Sequence, residues 1–171
     1  MTVEGAEELY HKAVAFHEAA EWEKALALYD RALVIRPDFA RAHCARALLL
    51  WNLQRQEEAL AAVTSAISVA PRFAEAYFNR ANMLRQRRQF AGSLEDYDRA
   101  IAIRPDFAPA LNNRAGLHQS LKRYGEALRD LDYLVRVMPT SAAAHYNRGA
   151  LLLQENKFDQ AWDSLSQAAT D

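Results

Sequence analysis

The sequence predicts an all-α protein built as a row of antiparallel helical hairpins, and three observations carry that prediction. Pro37, Pro71, Pro105 and Pro139 fall 34 residues apart, and only Pro109 lies off the grid. Small residues keep the same beat in three columns, with Leu134 the one large member of fifteen: Ala13, Ala47, Ala81, Ala115 and Gly149; Ala25, Ala59, Ser93, Ala127 and Ala161; Ala32, Ala66, Ala100, Leu134 and Ala168. Within each period the apolar residues are spaced by three and four, which is the periodicity of an amphipathic helix.

The first period sets the pattern. Leu9, Ala13 and Phe16 mark one helix, the connector EAAE follows, and Trp22, Ala25, Leu26, Tyr29, Ala32 and Leu33 mark a second. The later periods repeat it through the connectors LQRQ, QRRQ, LKRY and QENK. Large residues recur behind them as Leu60, Leu94, Leu128 and Trp162, with Phe90, Tyr124 and Phe158 in a second column. Connectors this short join antiparallel neighbours. The closing proline lacks an N–H and disfavours helix in the residue before it, so it ends each second helix. Asp38 and Asp106 are expected to cap the helix that follows, and Pro109 falls in a first turn, where a missing donor costs little. The near-verbatim pair ALYDRALVIRPDFARAH (27–43) and EDYDRAIAIRPDFAPAL (95–111) lies two periods apart and spans this helix end, stop and restart.

Composition narrows the function. The 171 residues are 51% hydrophobic and 25% charged, with 5 Gly and 5 Pro, a globular balance. Lys and Arg number 21 against 22 Asp and Glu, so a net charge of −1 favours neither nucleic acid nor an anionic membrane. Cys44 stands alone, which excludes an intrachain disulfide and a cysteine-based zinc site. MTVEGAEELYHKAV carries acids where a signal peptide has a basic region. ARALLLWNL (45–53) contains Arg46 and is far shorter than the ~20 residues of a membrane span. A cytoplasmic protein without membrane contact is expected. His11, His17, His43, His118 and His145 have no metal-ligand spacing, and neither a nucleophile elbow nor a glycine-rich phosphate loop is present. The expected reading is no enzyme, no cofactor and no metal.

With its 34-residue period, three small columns and closing proline, the chain resembles the tetratricopeptide repeat (TPR) family. The resemblance divides it into a lead at 1–5, four repeats at 6–39, 40–73, 74–107 and 108–141, and an incomplete fifth at 142–171, in one continuous domain. It implies a right-handed superhelical solenoid whose concave groove, lined by the first helix of each repeat, binds a protein or an extended peptide. The groove residues it places are Asn79, Asn82, Asn112, Asn113, Asn147, Leu48, Trp51, Phe78, Arg85 and Tyr146. Asn79, Asn113 and Asn147 share one column, so their amides are expected to form a row suited to a peptide backbone, or to bond within their own repeats. Leu48, Trp51 and Phe78 offer an apolar patch beside them, or pack on the chain itself.

Two family uses are set against these residues. LNNRAGL and YNRGALL look like the repeat arm of O-linked N-acetylglucosaminyl transferases, so a substrate-selecting arm of a larger enzyme is one alternative. The clamp that chaperone co-factors close on a C-terminal carboxylate needs cations where this chain has Phe78, Ala143 and Asn147, which argues against it. A self-assembling scaffold is the other alternative, through a fifth repeat whose Trp162 and Leu165 have no following helix to cover them. Arg46, Arg80, Arg114 and Arg148 form a column expected to make inter-helix ion pairs with Asp30, Asp98 and Asp132, which recur on the second helices, with Asp96 and Asp130 close by, or else to bind a ligand. Arg85, Arg87 and Arg88 are read as a solvated turn, or as a contact for an acidic partner.

Overall fold

The computed structural model describes residues 5–169, so most of the predicted lead lies outside the described residues. It contains ten α-helices: α1 (Ala6–Glu18), α2 (Trp22–Ile35), α3 (Ala40–Asn52), α4 (Gln56–Val69), α5 (Ala74–Gln86), α6 (Phe90–Ile103), α7 (Ala108–Ser120), α8 (Tyr124–Val137), α9 (Ala142–Gln154) and α10 (Phe158–Ala168). The chain divides into two compact units, residues 1–89 and 90–171.

In the first unit, α1 packs on α2 and α3 on α4. The small columns sit at these contacts. Ala13, Ala25, Ala47, Ala59 and Ala66 are fully buried in one cluster with Tyr29, Leu49, Leu50 and Val63. Ala side chains let the helix axes come close, and the larger neighbours fill the notches. Burial pushes the Tyr29 phenol up to about 12. A second cluster joins Ala6, Leu9 and Ala32 to Phe39 and Ala42 at the start of α3.

The second unit repeats the scheme. Ala115, Ala127, Leu131 and Leu151 form one cluster, and Leu111, Leu134 and Ala144 another. At Gly149 the approach is close: an added Cβ would lie 2.7 Å from Leu165 Cγ. Glycine is the only residue that leaves this contact undisturbed.

Every first helix ends in the same way. Ala20, Gln54, Arg88, Lys122 and Asn156 are left-handed, with φ between 58° and 62°. The next residue then donates back to the carbonyl five positions earlier: Glu21 to Phe16 at 2.8 Å, Arg55 to Leu50 at 2.9 Å, Arg123 to His118 at 2.8 Å and Lys157 to Leu152 at 2.9 Å. This is a Schellman end, which satisfies carbonyls the helix leaves open. The reversal is built without glycine.

The closing segment explains the duplicated RPDF. The Arg36 guanidinium lies 3.4 Å from the Phe39 ring centroid, and that of Arg104 3.6 Å from Phe107. These stacks hold the phenylalanine at the N-cap of the next helix. The expected Asp caps are therefore corrected. Asp38 and Asp106 stand one residue too early, and neither α3 nor α7 has a side-chain cap. Ser141 does cap α9, accepting from the Ala144 N–H at 3.3 Å. Pro109 lies in the first turn of α7 as expected. A further column ties the proline down. A ring nitrogen of His43 donates to the Pro37 carbonyl at 2.8 Å, the Tyr77 hydroxyl to Pro71 at 3.3 Å, and a ring nitrogen of His145 to Pro139 at 2.9 Å. Among the described residues no helix is long and apolar enough to cross a membrane.

The left-handed turns supply a test. Lys122 bears a Cβ in a conformation that costs an L-residue ~1–2 kcal/mol, and glycine recovers that at an entropic cost of ~0.5–1 kcal/mol. Lys122→Gly should therefore raise the urea midpoint, by a net gain of up to about 1 kcal/mol. Lys122→Val should lower it.

Candidate functional site

The second unit holds the best-formed site, on the facing sides of α7 and α9. Asn147 Nδ2 donates to Asn112 Oδ1 at 2.6 Å, and Gln119 Nε2 donates to Gln154 Oε1 at 2.7 Å. Gln154 Nε2 donates onward to the Tyr124 hydroxyl at 3.1 Å. Asn112 and Gln119 are seven residues apart on one helix, as are Asn147 and Gln154, so the two amide rungs stand two turns, or ~10 Å, apart. Between the rungs Gly116 and Ala150 present almost no side chain. The result is a cleft of about 230 Å³ bounded by both asparagines and Gln119 and lined as well by Ala115 and Leu131. A second cleft of about 200 Å³, running toward Pro109 and Met138, shares Asn112 and Asn147.

This arrangement has a definite hydrogen-bonding capacity. The Asn112–Asn147 bond uses one donor and one acceptor. Asn112 Nδ2 and Asn147 Oδ1 remain as a donor and an acceptor beside two clefts, the pair that a peptide unit requires. Tyr146 and Leu153 are exposed on α9. Asn113 is half-buried on α7 and is engaged by other groups of the chain.

The first unit carries the same rungs with different chemistry. Asn79 Nδ2 donates to Cys44 Sγ at 3.0 Å, and Trp51 Nε1 donates to Gln86 Oε1 at 3.1 Å. Cys44 is buried, and burial pushes its thiol up despite the opposing bond from Asn79. A buried, protonated thiol is a poor nucleophile. Leu48 is partly exposed on α3, Trp51 half-buried against the core, and Arg85 exposed at the end of α5. Phe78 and Asn82 are half-buried on α5 and engaged.

All four rungs join residues 35 apart in sequence, one more than the period. Reading down one column therefore puts Asn147 with Asn113, whereas its bond goes to Asn112. Helical side chains lean toward the N-terminus, so each meets a neighbour one position displaced. Gln86 and Gln154 were not singled out from the sequence for this reason; pairing the columns with a one-residue offset would have found them.

The arginine column is structural. Arg46 Nε donates to Asp30 at 2.6 Å, and Arg148 Nε to Asp132 at 2.6 Å. Arg114 meets Asp130 through Nε at 2.9 Å and Nη2 at 2.5 Å, and reaches Asp98 through Nη1 at 2.5 Å. It thus ties α7 to both α6 and α8. Arg87 pairs with Glu57 at 2.8 Å, and Arg88 is the left-handed residue of its turn. Among the described residues no group of His, Cys, Asp and Glu could hold a metal ion. His118 instead has a buried Nδ1 without a hydrogen-bond partner.

Comparison with known proteins identifies the repeat. Family models for the tetratricopeptide repeat match residues 40–73, 74–107 and 113–171, and one for the TPR repeat matches 13–54. No curated protein matches the sequence. Among solved structures, MamA from Desulfovibrio magneticus RS-1 superposes with a TM-score of 0.80 at 13% identity, covering 99% of this chain and 96% of that one. YrrB, described as a TPR protein with an unusual peptide-binding site, has a TM-score of 0.72 at 21% identity over 95% and 84% of the two chains. The first TPR of Spaghetti (RPAP3), bound to an HSP90 peptide, has a TM-score of 0.65 at 19% identity over 68% and 93%. These likenesses establish the fold.

Two outcomes follow from the charged groups. Asp130 keeps only 9% of its side chain exposed, so Arg114→Met strands a buried carboxylate and should cost ~3 kcal/mol in urea unfolding. Asp30 is 51% exposed, so Arg46→Met should cost under ~1 kcal/mol. Burial also holds the His118 imidazole below its ordinary 6.5. The unfolded chain then binds that proton more readily, so stability is full above this value and declines as pH falls toward the depressed folded one. His118→Gln should flatten the decline between about pH 7.5 and about pH 5.5, read from urea midpoints.

Proposed function

Because the chain belongs to the tetratricopeptide-repeat family, we propose that it is a protein-interaction module that holds an extended peptide along α7 and α9. The observation that carries this reading is the Asn112–Asn147 pair. It leaves a donor and an acceptor beside the cleft of about 230 Å³, over a floor of Gly116 and Ala150 that lets a peptide backbone approach. Such contacts read the backbone rather than its side chains, so selectivity comes from the rim, where Tyr146 and Leu153 are exposed. Within the first unit, taken by itself, the rungs at Asn79 and Trp51 on α3 and α5 offer a second surface of the same kind, with Leu48 as an apolar anchor and Arg85 as a contact for acidic residues. Asn82 and Phe78 in the first unit and Asn113 in the second are proposed as further contacts on their own units' surfaces.

YrrB, described as having a peptide-binding site, and the peptide-bound repeat of Spaghetti (RPAP3) support the class of partner and not its sequence. A net charge of −1 supports protein over nucleic acid, and the cytoplasm is the proposed compartment. Binding rather than chemistry is the proposed role: the one thiol is buried, and burial pushes it up, away from the thiolate that a nucleophile requires.

A second reading, self-association, is favoured by α10, where Trp162 is 73% exposed and Phe158 62% exposed. The equivalent Leu128 on α8 packs into a cluster completed by Leu151 of α9. Sedimentation velocity separates the possibilities: a concentration-dependent rise abolished by Trp162→Ser supports pairing, and a strict monomer removes it.

Partner peptides selected from a random-sequence library provide the main test. Asn112→Ala combined with Asn147→Ala should weaken binding about tenfold or more while leaving helicity intact. Unchanged affinity would sink the backbone-reading proposal.

A further inference from the structure

A different cleft, between α6, α7 and α8, points to a ligand that the amide site does not explain. It has a volume of about 360 Å³ and is lined by Ile101, Pro105, Leu111, Arg114, Asp130 and Tyr133. Its position in the repeat is informative. At the equivalent places His43, Tyr77 and His145 carry a ring whose polar atom donates to the closing proline's carbonyl. Position 111 holds leucine instead, 2% exposed, with no ring and no donor. The chain therefore displays its own template for an occupant three times and omits it once.

We infer that this cleft receives a histidine side chain of a partner polypeptide, the imidazole packing over Leu111 between Ile101 and Tyr133 and donating to the Pro105 carbonyl. Two of the three internal rings are imidazoles, and both place a ring nitrogen within 2.9 Å of the proline oxygen. The wall also favours a donor or a cation. Arg114 is shared by two carboxylates, Asp98 and Asp130, which leaves the group acidic. A histidine-bearing partner would thus repair the repeat pattern from outside.

The probe is 4-methylimidazole, followed by methyl NMR of the full chain, with toluene as a ring that cannot donate. Saturable shifts are expected at the Leu111 and Ile101 methyls, weaker or lost with toluene. Leu111→His should abolish the Ile101 shift by supplying the ring internally. Leu111→Tyr repeats the test with the residue that position 77 already accommodates. Absence of shifts in the wild-type chain, equal binding of toluene, or an Ile101 shift that persists in both folded variants would overturn the inference.

Discussion

The close approach of helices at columns of small residues is the constraint on which the rest of this molecule depends. Ala13 against Ala25, Ala47 against Ala59 and Ala115 against Ala127 are buried to the last few per cent, and Gly149 goes further by leaving no room even for a Cβ beside Leu165. A large side chain at any of these places forces neighbours off their rotamers at ~1–3 kcal/mol. The same economy reaches the candidate site. Ala115 belongs to the packing column and to the cleft wall at once, with Gly116 and Ala150 continuing the low floor between α7 and α9. The surface is concave there because the contact beneath it is tight.

Onto that frame the chain adds devices spaced by the repeat. Schellman ends reverse it after each first helix, arginine-on-phenylalanine stacks restart it after Pro37 and Pro105, and rings at 43, 77 and 145 fasten the proline carbonyls. Arginines of first helices pair with aspartates of second helices, Arg114 reaching one on either side. These are stabilising and local. The amide rungs use the same register, but they leave polar atoms unspent, and that difference separates a functional reading from a structural one.

The helical hairpins were legible because small and large columns repeat five times and packing obeys the period. The turns were less so: left-handed Ala20, Gln54, Arg88 and Lys122 carry no glycine to announce them. Asp38 and Asp106 looked like caps by type, yet Phe39 and Phe107 take that position because their rings are held by stacking and burial. At the site, the asparagines were visible, but their pairing was not. A column places residues on one face of successive helices, whereas a hydrogen bond depends on the lean of each side chain, which shifts every partner by one.

Residue-level mapping of the side-chain amides tests the account most directly. With a library-selected peptide bound, the Nδ2 and Nε2 resonances of Asn112, Asn147, Gln119 and Gln154 should shift together. They should shift by similar amounts for peptides of unrelated sequence, because the backbone is what they contact. Shifts confined to α8 and α10, with these four amides unmoved, would contradict the account.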